Sequence, residues 1–360
     1  VGKDYTVLAI NPGSTSTKVA VFNNENALFT KTISHSSDEI AGFNTIADQY
    51  EFRAELIEKL LREENVDMKS IDVVVGRGGL LKPIPSGTYK VNEIMVEELR
   101  SAKYGEHASN LGAMIALTLS KHLGIESYIV DPVVVDELDP IARISGMPEI
   151  PRRSIFHALN QKAVARKAAK ELNREYSDVN LIVVHMGGGV SVGAHRKGAV
   201  VDVNNALSGD GPFSPERSGG VPANQLLDLL VKGAMTEKEI RKRLIGNGGI
   251  VAYLGTNDMR KVEDDVKAGN ADAVLYHEAM AYQIAKEIGA CAAVLHGEVD
   301  AIVFTGGLAY DELFLNKLRT KISWIANTLV FPGEEEMESL VSGVLRVKRG
   351  EEDYKEYVAE

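Results

Sequence analysis

Two stretches of the chain carry the same rhythm of apolar and polar positions. Residues 5–10 read as a buried strand, 11–17 form a polar turn, 19–22 resume as a strand, 23–26 turn, and 27–33 make a third strand. Short apolar runs bounded by Gly, Asn, Pro and Ser predict strands joined by tight turns. The rhythm returns about 175 residues later. Strands are predicted there over 181–185, 190–195 and 199–203, with a glycine-rich turn at 186–189 and another at 196–198. Elsewhere the period lengthens. Residues 39–65 read as helical, with Phe52, Leu56 and Leu60 on one stripe and Ile57 and Leu61 beside it. Residues 71–75 and 127–130 are the β-branched runs that fill parallel core strands, with a helix between them near 108–123. A helix over 156–173, a helix-rich stretch over 222–297 and a buried strand over 301–305 follow. Glu334, Glu335 and Glu336 open a last helix, where negative charge is favoured. Two prolines and a glycine make 145–151 the expected hinge. The pattern is that of an α/β chain with two domains of related topology.

Composition narrows the classes. The 360 residues include 40 Lys and Arg against 51 Asp and Glu, a formal net charge of −11, and no basic block. That argues against a nucleic-acid partner. Apolar runs all fall short of the ~20 residues of a membrane helix, and residues 1–5 lack the basic-then-apolar form of a secretory leader. The lone cysteine, Cys291, sits among small apolar residues, excludes an internal disulfide and fits a reducing cytoplasm.

Three turns carry candidate chemistry. Asn11-Pro-Gly-Ser-Thr-Ser-Thr-Lys18 offers hydroxyls, a glycine and a lysine between two strands, and can cradle phosphate oxygens or be a plain polar hairpin. It is not a Walker A loop. Gly187, Gly188 and Gly189 strip side chains from the backbone after a buried strand, which suits a phosphate chain or a flexible turn. Gly189-Val-Ser-Val-Gly193 matches the hydrolase nucleophile elbow in letters only, because a strand hairpin rather than a helix is predicted to follow. Gly306, Gly307 and Leu308 end an apolar strand, where α/β sheets bind ligands. Arg77 and Arg217 lie in glycine-rich loops and can clamp anions or sit in solvent. His107 and His157 precede helices and read as caps, core residues or catalytic groups, while Asp131, at a strand end, holds a metal or caps a turn.

Taken together, the run from Leu8 to Val21, with Asn-Pro-Gly-Ser-Thr-Ser-Thr at its centre, and Gly105-Glu-His-Ala-Ser-Asn-Leu-Gly112 resemble the butyrate kinase branch of the acetate kinase family. The resemblance runs through the whole chain in order. It implies two related actin/hexokinase-like ATPase domains with a nucleotide cleft between them. They divide as 1–148 plus 334–360 for the acid-binding half and 149–333 for the nucleotide-binding half. It implies ATP-dependent, reversible phosphorylation of a short-chain carboxylate, butyrate or isobutyrate, to the acyl phosphate. An acetate or propionate kinase and a non-kinase ATPase of the same fold are the alternatives.

Carried over by position, Arg77 and Arg217 would flank the transferred phosphoryl, and His107 and His157 would line the reaction site. Asn11, Ser14, Ser16 and Lys18 would form the first phosphate turn, and His185 with Gly187, Gly188 and Gly189 the second. Asp258, Met259 and Arg260 would meet adenosine, as would Gly306, Gly307, Leu308 and Asp311. Asn11, Asp131 and Glu335 would support Mg2+, with the choice between Glu335 and Glu336 open. A cytoplasmic homo-oligomer, dimer or higher, using ATP/ADP and Mg2+ is the implied form. The chain departs from the acetate kinase pattern at Gln161, where a second histidine is usual, at Gly188 for asparagine, and at Gly219-Gly220 and 309–311.

Overall fold

The computed structural model describes residues 3–359; Val1, Gly2 and Glu360, which belong to the segments read for a leader and for the two termini, lie outside the described residues. In chain order the first elements are β1 (Thr6–Pro12), β2 (Ser16–Asn23), β3 (Asn26–Ser34), α1 (Ser37–Ile40), α2 (Tyr50–Glu63), β4 (Val73–Arg77) and β5 (Thr88–Lys90). Next come α3 (Glu93–Arg100), α4 (Asn110–Leu123), β6 (Glu126–Val130), α5 (Ala158–Glu171), β7 (Asn180–Met186), β8 (Val190–Arg196) and β9 (Ala199–Val203). Then follow α6 (Ala223–Val231), α7 (Glu237–Leu244), α8 (Gly249–Leu254), α9 (Met259–Lys267), α10 (Ala271–Val294) and β10 (Ala301–Gly306). The chain ends with α11 (Glu312–Ile322), β11 (Thr328–Pro332), α12 (Glu336–Lys348) and β12 (Lys355–Glu356).

The chain folds into two compact units. One holds the residues up to Val135 and those from Glu335 onward; the other holds Asp136–Glu334. The first crossing is therefore at Val135–Asp136, upstream of the expected boundary at 148 and of the expected hinge at 145–151. The reason is local bonding. Lys162 Nζ donates to Glu137 at 2.5 Å, Asp139 N–H to Val201 O at 2.9 Å, and Arg196 to Asp139 at 2.8 Å. Residues 136–152 are thus already tied to the second unit, and the prolines mark an irregular strap within it.

In the first unit the sheet order is β12-β5-β6-β4-β1-β2-β3. β1, β2 and β3 form an antiparallel meander, and β1, β4 and β6 run parallel. The pleat sends Leu8 and Ile10 against α2 and α4, in a core with Ile57, Leu61, Leu111 and Ile115. The other face, bearing Val7, Ala9 and Asn11, meets α12.

The second unit repeats the scheme. Its order is β11-β10-β7-β8-β9, again an antiparallel meander on one side of the first strand and parallel strands on the other. Ile182, Val184, Val192 and Ala194 pack with α10 and α11 residues such as Ile284, Ile288 and Phe314. Leu181 and Val183 face α5, against Val164, Ala165 and Ala168. The period-2 alternation therefore leaves His185, Ser191 and His195 on the α5 face, fully or almost fully buried. Cys291 is buried with its Sγ 3.7 Å from Val192 O, and burial pushes its thiol pKa well up, so it is an unreactive core residue. Among the described residues no helix is long and apolar enough to cross a membrane.

Candidate active site

In the first unit the polar turn is a true hairpin. β1 and β2 pair Asn11 with Lys18 and Pro12 with Thr17, so Gly13, Ser14 and Thr15 form the tip, closed by Gly13 N–H to Ser16 O at 2.7 Å. Residues opposite each other in an antiparallel pair share a face. Asn11, Ser16 and Lys18 lie on one side, with Lys18 and Ser14 exposed; Thr17 is buried on the other, 2.8 Å from His35 Nε2.

A residue that pattern reading passed over holds this tip. Arg53 sits on the buried face of α2 at 0% exposure. It donates to Gly13 O at 2.7 Å, to Ser14 O and Ser16 O at 3.1 Å each, to Thr17 Oγ1, and to Gln49 Oε1. Burial pushes its pKa down to about 10, and no carboxylate of the described residues pairs with it. A guanidinium without a counter-ion thus stands behind the hairpin. Arg53→Met relieves a desolvation cost but takes the donor from buried Gln49 Oε1 and from Gly13 O and Ser14 O, while Ser16 O keeps Gly13 N–H. Because an unmet buried acceptor costs about 1–3 kcal/mol, the second effect wins. The urea midpoint should fall; an unchanged midpoint would contradict the strut.

Beside the hairpin, the parallel register of β1 and β4 brings Arg77 next to Asn11. Its Nη1 donates to Asn11 Oδ1 at 3.3 Å and lies 2.8 Å from Glu336 Oε1. Asn11 Nδ2 donates to Glu336 Oε2. The carboxylate joined to Asn11 is therefore Glu336, the first residue of α12. Glu335 is exposed, in a left-handed conformation with φ 42°, and its carbonyl accepts from Ser339 N–H and Oγ. Asp131 is 2% exposed, also left-handed with φ 38°, and its Oδ1 accepts Ser86 Oγ at 2.6 Å and Gly87 N–H at 2.8 Å. That carboxylate is already engaged in fixing the 86–87 turn. His107 Nδ1 accepts from Ser109 N–H at 3.2 Å and bonds Ser109 Oγ at 2.8 Å, which leaves Nε2 to carry the proton of the neutral ring. Loss of hydration, then the Arg77 charge, holds its pKa down.

In the second unit residues 187–189 leave the β7–β8 ladder as a bend. Gly188 O accepts Ser214 Oγ at 2.6 Å, and Gly187 N–H donates to Gly189 O at 2.9 Å. Arg217 lies directly on this bend. A Cβ on Gly189 would fall 1.9 Å from its Nη1, so only glycine leaves the space. The same nitrogen donates to Ala206 O, and burial lowers the guanidinium pKa against the opposing effect of Glu216. The two earlier glycines have Glu334, His185 and Glu216 as neighbours. His185 stacks on His157, ring centres 3.8 Å apart and planes 12° apart. Asn160 Nδ2 donates to Glu334 O at 2.9 Å, so its oxygen faces His185 Nδ1 at 2.7 Å and accepts that proton. Arg217, His157, His185 and the glycine bend are thus brought together.

The remaining candidates have structural duties. Asp258 is the N-cap of α9, accepting Arg260 N–H at 3.1 Å and Nε at 3.3 Å, and the Arg260 side chain is 91% exposed. The Asp258-Met259-Arg260 segment is therefore a helix start. Gly306, with φ 87°, lets β10 pass Met186 O, 2.4 Å from where a Cβ would be. Gly307 has open space around its own Cβ position. Leu308 is buried in the α10–α11 core. Asp311 caps α11 through Phe314 N–H at 2.9 Å and lies 3.3 Å from buried His277 Nε2. The last two side chains are committed to packing and capping. Ser191 lies on strand β8, which excludes the hydrolase elbow.

Solved structures share this architecture. An acetate kinase from Porphyromonas gingivalis superposes with a TM-score of 0.80 at 20% identity, covering 96% of this chain and 100% of that one. A propionate kinase from Francisella tularensis subsp. tularensis does so at 0.75 and 18%, covering 94% and 98%. These likenesses define the class: a two-domain α/β fold with the acetate kinase topology. The sequence profile of the acetokinase family matches residues 149–321. A Listeria innocua protein named "Probable butyrate kinase" is 54% identical over 353 residues, 98% of this chain and 99% of its own. The chain belongs to the acetokinase family, phosphotransferases that use ATP and a carboxyl group as acceptor.

Proposed function

We propose that this protein transfers the γ-phosphoryl group of ATP to the carboxylate of a short-chain fatty acid, butyrate or a branched analogue such as isobutyrate, and runs the reaction in reverse toward ATP. The observation that carries the reading is Arg217 seated on the glycine bend: a cation fixed against bare backbone is what a transferred phosphoryl group needs. The name of the Listeria relative supports the acid. A carboxylic acid is ionised at neutral pH, as side-chain carboxyls are, so no general base is required. Its oxygen attacks the γ-phosphorus, the bond to the bridging oxygen breaks, and ADP leaves. The barrier is repulsion between two anions, and positioning with electrostatics lowers it.

In this reading Arg217 and Arg77 neutralise the phosphoryl and the carboxylate. His157 and His107 donate hydrogen bonds to equatorial oxygens. The 13–16 tip and the 187–189 bend offer backbone N–H groups to phosphates. Asn11 and Glu336 supply one amide and one carboxylate oxygen, the hard, sparse donor set that suits Mg2+ when phosphates complete its shell. Bound there, Mg2+ would screen the phosphate charge. The enzyme would act in the cytoplasm as a homo-oligomer.

A turnover panel tests the acid. ADP release with acetate, propionate, butyrate, isobutyrate and a hexose should give the highest kcat/KM with the four-carbon acids. Highest turnover with acetate or with the hexose would replace this reading.

A further inference from the structure

The buried α5 face of the second unit carries a polar chain that runs to His157, and every link has only one possible direction. Gln161, at 0% exposure, places its amide nitrogen 3.1 Å from Ser191 O and 2.8 Å from Ser191 Oγ. A carbonyl oxygen only accepts, so this end of the amide is the NH2 group. Its Oε1 therefore faces His195 Nε2 at 2.9 Å, and that nitrogen must be the donor. Burial first, then the charges of Lys162 and Arg166, keeps His195 neutral, so its Nδ1 is bare and accepts Tyr176 O–H at 2.7 Å. At the other end, Ser191 Oγ receives a proton from Gln161 and has one of its own to give. His157 Nδ1, 2.9 Å away, is its remaining partner, and Ser191 is wholly buried. Were His157 to donate instead, the serine proton would have no acceptor. Gly193 is part of the arrangement, since a Cβ there would fall 2.5 Å from Gln161 Oε1.

We propose that Gln161 is a positioning residue that holds His157 in the Nε2–H tautomer, so that this ring meets the transferred phosphoryl group as a neutral hydrogen-bond donor. The inference rests on the kinase reading for what the donor is used for, but not for the tautomer itself. His157 and its stacked neighbour His185 are thereby held in opposite states: His185 gives its Nδ1 proton to Asn160, whereas His157 keeps Nδ1 as an acceptor. Two consecutive amides of α5, Asn160 and Gln161, impose the difference.

The test is nitrogen-15 NMR of histidine-labelled, full-length protein at a pH where the rings are neutral. In the parent protein His157 should show a protonated-type Nε2 and a bare-type Nδ1 signal. In Gln161→Met, which takes up similar volume without a donor, the two signals should move toward a tautomer average. The kcat should fall about tenfold while the KM for ATP and for the acid stay within about twofold, a split that loss of one transition-state donor predicts. A parent protein with the proton on His157 Nδ1 overturns the proposal without any variant having to fold. So does a Gln161→Met protein that keeps the parent signals, or one that loses them with kcat unchanged. The ring signature is read without turnover, so a failed kinase reading leaves it in place and the two failures are distinguishable.

Discussion

Arg217→Ala is expected to lower kcat at least about a hundredfold, a barrier increase of roughly 3 kcal/mol. The size follows from where the guanidinium sits. It is half-buried, which strengthens its field, and it is pressed against a residue without a side chain. The fold should survive, because the lost anchor is one bond to Ala206 O at the edge of a loop. Gly189→Ala gives an independent view of the same contact. Its Cβ would land 1.9 Å from the Arg217 nitrogen, so the arginine must move although it is still present. That variant should reproduce much of the kcat loss, with circular dichroism unchanged. Near-parent turnover in Arg217→Ala would remove the residue from the reaction.

Arg77→Ala should have an effect of the same order, for a partly different reason. Arg77 links Asn11 and Glu336, so its removal takes away a cation and also leaves the Glu336 carboxylate without its ion-pair partner. A fall in kcat of at least about a hundredfold is expected. The His107 titration followed by NMR provides a second readout. Arg77 disfavours the imidazolium, so in the variant the His107 midpoint should move upward toward the ordinary histidine value. Preserved turnover, or a His107 midpoint that moves down, would contradict the placement of Arg77.

The two meanders were legible in the sequence because period-2 alternation against a buried face is a strong signal, and it occurs twice. Strand β8 shows this well: Val190, Val192 and Ala194 mark one face, so the elbow-like letters around Ser191 could be set aside. Short elements left no such signal. β5 has three residues and β12 two, and both exist because an established sheet edge offers them partners. The unit boundary was misjudged because proline and glycine content reports local irregularity, whereas the crossing depends on tertiary bonds such as Lys162 to Glu137.

At the candidate site the glycine turns and the two arginines stood out as residue types in unusual settings. Arg53 did not. A charged residue beside an apolar helix stripe normally faces water, and nothing local says that main-chain oxygens from residues 13–16 await it. Leu308 and Asp311 show a second use of such positions. Their positions after a strand end suggest ligand contact, yet packing and helix capping use both side chains. Which carboxylate meets Asn11 depends on the left-handed turn at Glu335, which aims that of Glu336 at it.

The reaction itself is tested most directly by trapping its product. Protein incubated with ATP, Mg2+, butyrate and hydroxylamine should form the acyl hydroxamate in step with ADP, and neither should accumulate in the Arg217→Ala protein. Release of ADP without hydroxamate would make this chain an ATPase that does not phosphorylate the acid, and would contradict the account.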